Sequence, residues 1–167
     1  MSREGDATKF HKQVTDGPQA PEEVRRAAGF LARRLYQAYT AAWARQVDSV
    51  LTSPQFAVLS TVEAHPEVDQ GTLAASVALD RSTMADVCRR LEDRGLISRS
   101  VAPSDARRKL LTLTDQGADA LASVRARVAA LEAELFDTYD DNRGRLIDDL
   151  AELSETWEAV AATTRTA

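Results

Sequence analysis

The spacing of apolar residues changes from helical to extended at Gly95. Before it, apolar residues recur every three or four positions from Met84 to Leu91, which predicts an amphipathic helix over residues 81–94. After it, LISRSV and KLLTLT alternate apolar and polar residues, which predicts two short strands joined by the turn-forming APSDARR. The central sequence therefore predicts one helix followed at once by a β-hairpin.

A shorter helix is predicted just before this one. Asp69 is placed to cap QGTLAASVA, and the dipeptide LD separates that helix from residues 81–94. Two short helices joined by a tight turn indicate a helix-turn-helix, and the hairpin extends it to a winged helix. Upstream, Ser53 is predicted to cap a helix that starts with Pro54 and ends before Pro66. Residues 51–114 form the predicted winged helix-turn-helix lobe.

Positive charge is concentrated in the same segment. The chain has a net charge of -5, yet residues 81–109 hold eight Arg or Lys against four Asp or Glu. Such asymmetry indicates a partner and says nothing of the fold, and arginines that are simply solvated explain it equally well. In a winged helix the cations lie on the two elements that contact duplex DNA. The predicted DNA contacts are Arg81, Ser82, Thr83, Asp86, Arg89, Arg107, Arg108 and Lys109.

Two further arginines of the predicted recognition helix are given a structural role. Arg90 and Arg94 lie near its C-terminus, where they complement the helix dipole or pair with Glu92 and Asp93. Arg99, at the other end of the hairpin, is not among the predicted DNA contacts.

The ends of the chain are predicted to be helical and to serve dimerisation. Residues 21–47 form one long predicted helix, and two apolar stripes follow the hairpin, separated by DDNRG. The stripes are Leu121, Val124, Val128, Leu131 and Leu135, then Leu146, Leu150, Leu153, Trp157 and Val160. Residues 21–50 and 115–163 are thus a predicted helical dimerisation region covered by a second copy, with packing as a monomer the alternative; residues 1–20 are a predicted flexible arm. The fold class is mainly α with a small β-hairpin.

Several function classes find no support in the sequence. There is no signal-type apolar stretch and no run near the roughly 18 apolar residues of a membrane span, so a cytoplasmic chain without a membrane partner is expected. Cys88 is the single cysteine, and the histidines are far apart, so neither a disulfide nor a zinc site is expected. No nucleophile motif or glycine-rich phosphate loop suggests an enzyme or a bound cofactor. A redox-responsive regulator acting through Cys88 and a winged helix that binds only proteins remain alternatives.

The motifs also resemble a known family. DRST at 80–83, LEDRGLI at 91–97, DAR at 105–107 and LT with Gly117 resemble the MarR family of dimeric winged-helix transcriptional regulators. The resemblance implies that Arg107 enters the minor groove, and Asp105 would then orient it through a charge-assisted hydrogen bond. It also implies a homodimer on an inverted-repeat operator, acting as a repressor.

A ligand site is predicted on the first helix. Tyr36, Tyr39 and Trp43 fall within about 60° of one another on a helical wheel, and arginines lie one turn earlier. Such a group suits a small aromatic carboxylate, although packing in the core explains the aromatic residues equally well. GFLARRLYQAYTAAW resembles the MarR branch that responds to phenolic or aryl carboxylates, which favours Arg33 as the ligand residue. The wheel instead puts Arg34 beside the apolar stripe, so both arginines are candidates.

Overall fold

The computed structural model describes residues 19–47, 50–102 and 105–163, without the side chains of residues 105–107 and 140. Seven helices and three strands occupy these residues. The helices are α1 (Glu22–Arg25), α2 (Ala28–Gln46), α3 (Ser53–Ala64), α4 (Gln70–Ser76), α5 (Arg81–Asp93), α6 (Asp115–Leu135) and α7 (Arg143–Thr163). The strands are β1 (Val68–Asp69), β2 (Ile97–Ala102) and β3 (Asp105–Leu113), and a short 3₁₀ helix lies at Asp140–Asn142. The fold is mainly helical with a small sheet, as predicted. The arm predicted at residues 1–20 lies almost wholly outside the described residues.

The first predicted helix is broken, so the prediction of one continuous helix over residues 21–47 is wrong. Arg26 is the C-cap of α1, with φ of -94° and ψ of -6°, and its amide still bonds to the Glu22 carbonyl four residues back. The next amide, that of Ala27, bonds to the Val24 carbonyl three residues back, and the Ala27 carbonyl then accepts from the first turn of α2. A tightened 3₁₀-type turn therefore separates α1 from α2.

The cap of α3 is also one residue earlier than predicted. Thr52, and not Ser53, is the N-cap, because its hydroxyl accepts from the Gln55 amide while the Gln55 side chain accepts from the Thr52 amide. This reciprocal pair is a capping box, and it requires the glutamine three residues after the cap. Pro54 lies in the first turn, where its missing N–H costs nothing.

The hairpin belongs to a three-stranded antiparallel sheet with the order β1, β3, β2. Strand β1 pairs Val68 with Leu111, and its two residues are too few to show any alternation in sequence. Strand β3 begins at Asp105, so Arg107 and Arg108 lie on a strand and not in the predicted turn. The β2–β3 pairing shifts its register between Val101 and Ala102, which accommodates this early start.

The chain divides into two compact units, one ending at Ala38 and the other starting at Tyr39. In the first unit, α1 and the start of α2 expose Val24, Leu31 and Leu35. The second unit has a contiguous apolar core. Its members are Trp43, Val47, Leu51, Val58, Leu59, Val62, Leu73, Met84, Cys88, Leu91, Leu96, Ile97, Leu111, Leu121, Val124 and Leu131.

Helices α6 and α7 differ in how their apolar stripes are covered. Leu121, Val124 and Leu131 of α6 are fully buried within the chain, where α3 packs against α6. The expectation that a second copy covers this stripe is therefore wrong for these three residues. Helix α7 has no buried residue at all.

Two glycines are required by the backbone around the sheet. Gly95 has a φ of +68°, the left-handed conformation that ends α5. Gly117, in the first turn of α6, lies so close to the Leu96 carbonyl that an added Cβ would sit 2.0 Å from its oxygen. These two positions set how α5, β2 and α6 meet.

Candidate nucleic-acid interface

The first turn of the predicted recognition helix α5 is organised by Asp80. Its carboxylate accepts from the amides of Ser82 and Thr83 at 2.9 and 3.0 Å and from both hydroxyls at 2.5 Å. These bonds, led by the Ser82 and Thr83 hydroxyls, hold the pKa of Asp80 well below its usual range. Two of the predicted DNA contacts are therefore held in fixed positions before any DNA arrives.

A cleft of about 380 Å³ lies where α4, α5 and β3 meet. Its lining residues are Asp69, Gln70, Gly71, Ala74, Arg81, Met84, Arg108 and Lys109. Arg108 bonds to Asp69 at 3.0 Å, whereas no carboxylate among the described residues pairs with the side chains of Arg81 or Lys109. Three of the predicted DNA contacts therefore share one cleft, with a single carboxylate to balance them.

Asp69 holds the N-terminus of α4 and the cation of β3 together. Its side chain caps α4 through the amides of Gly71 and Thr72, as predicted, and also accepts from the Thr72 hydroxyl at 2.6 Å. The bonds from Thr72, followed by the bond from Arg108, lower the pKa of Asp69 from 3.8 to about 2. The sequence predicts the cap but gives no sign of the ion pair, since Arg108 is 39 residues away.

Two other predicted DNA contacts are paired with each other. Arg89 bonds to Asp86 at 2.7 Å across one turn of α5, and both side chains are more than half exposed. Exposed pairs of this kind contribute little to stability, so DNA could take over the guanidinium at small cost. The side chains of Asp105 and Arg107 lie outside the described residues.

Arg94 makes contacts that the sequence does not predict. Its guanidinium donates to the Val50 carbonyl at 2.7 Å and to Oε1 of Gln55 at 3.2 Å. The predicted pairing of Arg94 with Glu92 or Asp93 is wrong, because Glu92 forms its ion pair with Arg99 at 3.3 Å. Arg94 therefore has partners on other elements in place of the predicted ones.

Two aromatic candidates of α2 belong to the second unit: Trp43 lies in its core and Tyr39 packs against that core. Trp43 is 3% exposed, donates from Nε1 to the Leu51 carbonyl at 2.9 Å and lies 5.6 Å from the Phe56 ring. Tyr39 lies 5.9 Å from Trp43, and its hydroxyl bonds to that of Ser53 at 3.1 Å. Core packing thus accounts for Trp43, while Tyr39 is only partly buried.

The remaining ligand candidates lie in the first unit. The guanidinium groups of Arg33 and Arg34 are 5.7 and 5.9 Å from the Phe30 ring, and the Tyr36 side chain is mostly exposed. A shallow groove of about 400 Å³ is lined by Leu31, Arg34, Leu35, Gln37 and Ala38. Arg34 is the only cation among these lining residues.

Cys88 lies on the buried face of α5. It is fully buried between Met84 and Leu91, and burial raises the pKa of its thiol. The environment favours an inert thiol over a redox sensor. The described residues contain no cluster of potential metal ligands, and none of their helices is both long and apolar enough to cross a membrane.

Comparison with known proteins gives the family. The MarR family model matches residues 51–109. The transcriptional regulator HosA of Escherichia coli O127:H6 is 32% identical over 115 residues, which cover 62% of this chain and 84% of HosA. These relatives are transcription regulators and not enzymes, in agreement with the prediction from the motifs.

Solved structures agree with that assignment. PcaV of Streptomyces coelicolor, in complex with its natural ligand, matches with a TM-score of 0.77 and 36% identity over 82% of this chain and 98% of PcaV. The repressor CouR of Rhodococcus jostii, bound to a 23-mer DNA duplex, matches with a TM-score of 0.74 and 30% identity over 83% of this chain and 99% of CouR. CouR is also known bound to p-coumaroyl-CoA. The winged helix-turn-helix, its sequence motifs and these similarities together show that the chain belongs to the MarR family of transcription regulators.

Proposed function

We propose that this protein is a homodimeric repressor that binds an inverted-repeat operator and is released from it by a small aromatic carboxylate. The observation that carries the DNA-binding part is the cleft at the start of α5, where Arg81, Arg108 and Lys109 meet. Cations gathered on a helix N-terminus and an adjoining strand suit the phosphates on either side of a groove. The solved complex of CouR with a DNA duplex supports the same use of this fold.

The predicted DNA contacts in and beside this cleft have different roles. Arg81 and Lys109 are the phosphate contacts, since no described carboxylate neutralises them. Arg108 is a weaker one because Asp69 competes for its guanidinium. Arg107 is the minor-groove contact that the family resemblance implies, with Asp105 orienting it.

The exposed stripe of α7 supports the homodimer. Leu150, Leu153 and Trp157 are 40%, 46% and 40% exposed, on a helix with no buried residue. Large apolar side chains aligned on one helix face usually mark a protein interface. A second copy related by a two-fold axis would present two recognition helices to two half-sites, so the operator is an inverted repeat.

Footprinting on the promoter next to the protein's own gene identifies the operator, and fluorescence anisotropy then measures affinity for that duplex. Arg107→Ala should cost about 1–3 kcal/mol of binding free energy. Removing Arg81 and Lys109 together should lower the salt slope by about 4, because each of the two protomers loses two phosphate contacts. Arg90→Ala is the matched control, because Arg90 is exposed on α5 and no described residue bonds to its side chain.

An unchanged salt slope in the Arg81 and Lys109 double variant would show that the cleft does not contact DNA phosphates.

A double-mutant cycle tests whether Asp105 orients Arg107. If it orients Arg107, the Asp105→Ala and Arg107→Ala losses will be far from additive, whereas independent losses would exclude that role.

The effector part rests on the aromatic residues of α2 and on the arginines before them. The partly buried Tyr39 offers a ring and a hydroxyl to an aromatic acid, beside Trp43. Among the arginines, the groove favours Arg34, because it adjoins the apolar Leu31 and Leu35, while the resemblance favours Arg33.

Calorimetric titration with 4-hydroxybenzoate and 6-hydroxynicotinate tests the effector class. Binding should weaken at least tenfold when the correct arginine becomes alanine, and the other arginine is the matched control. The acid that binds should also release the operator in the anisotropy assay. An absence of heat with both acids would contradict an aryl carboxylate effector and leave the DNA-binding proposal intact.

A further inference from the structure

The loop before α3 is held from both sides by side chains of other helices. Val50, Leu51 and Thr52 are consecutive, and one backbone group of each is bonded to a side chain of a helix. Arg94 takes the Val50 carbonyl, Trp43 takes the Leu51 carbonyl at 2.9 Å, and Gln55 takes the Thr52 amide at 3.1 Å. A three-residue segment thus connects the end of α5 with α2.

Gln55 closes this connection on the inside. It is 7% exposed, and its Oε1 accepts from both the Thr52 amide and the Arg94 guanidinium. Buried polar groups of this kind are costly to leave without a partner, so the capping box and the Arg94 contact support each other. Arg94 is therefore bonded at two points, to the Gln55 side chain of the cap and to the Val50 carbonyl before it, while its own side chain is exposed.

The partner of the segment on the other side is the aromatic pair of α2. Trp43 is buried and packs against Phe56 of α3, and the Tyr39 hydroxyl reaches Ser53 at 3.1 Å. The indole hydrogen bond joins this part of α2 to Leu51, so a displacement of α2 would be passed to Leu51 and to the adjoining Val50 carbonyl that Arg94 binds.

We propose that Arg94 is a positioning residue that couples α2 to the DNA-reading helix α5. Its guanidinium fixes the C-terminal end of α5 to the Val50–Thr52 segment, which Trp43 fixes to α2 in turn. Energetic coupling is carried by such contiguous hydrogen bonds and packed side chains. The inference rests on the proposed function, since it assigns to α5 the reading of DNA and to α2 the binding of the effector.

The other roles open to Arg94 fit less well. A pair with Glu92 on its own helix is absent, because Glu92 bonds to Arg99. A phosphate contact would require the guanidinium to leave both Val50 and Gln55. A role in stability alone is the remaining alternative, and the experiment is designed to separate it from coupling.

The test uses the full-length protein and the indole N–H of Trp43, observed by NMR and told apart from that of Trp157 with a Trp157→Phe sample. Arg94→Met removes the donors and keeps much of the apolar stem, and Arg94→Lys keeps one donor for the Val50 carbonyl. Arg90→Met is the control, because it removes the same charge from the same helix. Thermal unfolding of each variant records any global loss of stability.

In the free protein, Arg94→Met should speed hydrogen exchange of the Trp43 indole about fivefold beyond any change in global stability, because the segment before α3 loses both hydrogen bonds from the guanidinium. Arg94→Lys should restore part of the protection, and Arg90→Met should behave as the unmodified protein. Equal indole exchange in Arg94→Met and Arg90→Met would overturn the coupling.

With the footprinted operator duplex, the Trp43 indole resonance of the unmodified protein should shift, since coupling between two sites is reciprocal. Arg94→Met should bind the duplex with an unchanged salt slope, yet its indole resonance should shift by less than a third as much. An equal shift in Arg94→Met and the unmodified protein would show that Arg94 contributes to stability alone. If no duplex binds, the proposed function fails, and the free-protein exchange still decides whether Arg94 links α5 to α2.

Discussion

Helices α5 and α7 both carry an apolar stripe at helical spacing, but the chain covers only one of them. Helix α5 buries Met84, Cys88 and Leu91 in the core of the second unit, whereas α7 buries none of its 21 residues. The patterns look alike in sequence because periodicity reports which face is apolar and not what covers it. The difference shows that α5 belongs to the core of one chain, whereas the described residues bury no side chain of α7.

The largest effect is expected when a charged residue is placed in the apolar stripe of α7. Leu153→Asp should weaken dimerisation at least a hundredfold, about 3 kcal/mol, because a carboxylate would be desolvated at the interface. Analytical ultracentrifugation over a dilution series measures the change. The far-UV circular dichroism spectrum of the variant should be unchanged, since Leu153 is not part of the core.

Ala151→Asp is the matched control on the same helix. Ala151 is exposed and lies well away from the stripe, so its variant should keep the dimer. If Leu153→Asp and Ala151→Asp dimerise equally well, α7 is not the dimer contact.

A glycine from each region gives the next largest contrast. Gly117→Ala forces a Cβ to within 2.0 Å of the Leu96 carbonyl oxygen, whereas Gly144, in the first turn of α7, has nothing within 4 Å. We expect Gly117→Ala to lower the free energy of unfolding by about 3 kcal/mol and Gly144→Ala to raise it by up to about 1 kcal/mol. Urea denaturation measures both, and a tolerated Gly117→Ala would mean that α6 can move away from β2 freely.

A smaller effect is expected at the turn between α4 and α5. Ala78 has a φ of 51°, which side chains adopt at a cost that glycine avoids. Ala78→Gly should therefore raise the free energy of unfolding by about 0.5–1 kcal/mol in urea denaturation. A loss of stability would indicate that the freedom gained by the unfolded chain outweighs the relief of strain.

The smallest effect concerns pH and the Asp69–Arg108 pair. The pKa of Asp69 is lowered from 3.8 to about 2, so its contribution is complete above about pH 4 and is lost as the pH falls towards 2. Asn at this position keeps the cap and removes the charge. Asp69→Asn should make the unfolding free energy fall less steeply between pH 4 and 2 in thermal melts, and an identical pH slope would remove Asp69 as a contributor.

The sequence predicted the elements of the second unit well where periodicity is long. Helices α5 and α6, the cap at Asp69 and the stop at Gly95 are all local signals, and the structure confirms them. The break after α1 was missed because no proline marks it and the glycine lies three residues later. Strand β1 was missed because pairing with β3 defines it, through residues more than forty positions away.

The candidate site divides in the same way. Residues on one helix, such as Arg81, Ser82 and Thr83, could be predicted from their position at its N-terminus. The links from Arg94 to Val50 and from Arg108 to Asp69 span 44 and 39 residues, so no local pattern contains them. The aromatic residues of α2 show the opposite problem, because the spacing that suggests a ligand site also describes a core.

The cap at Asp80 has a consequence for the base sequence of the operator. Because the hydroxyl protons of Ser82 and Thr83 are both donated to that carboxylate, each hydroxyl oxygen can act towards DNA only as an acceptor. In the major groove the groups that donate are the amino groups of adenine N6 and cytosine N4. Half-sites read by this turn should therefore favour adenine or cytosine opposite the two hydroxyls, while guanine contacts fall to the arginines.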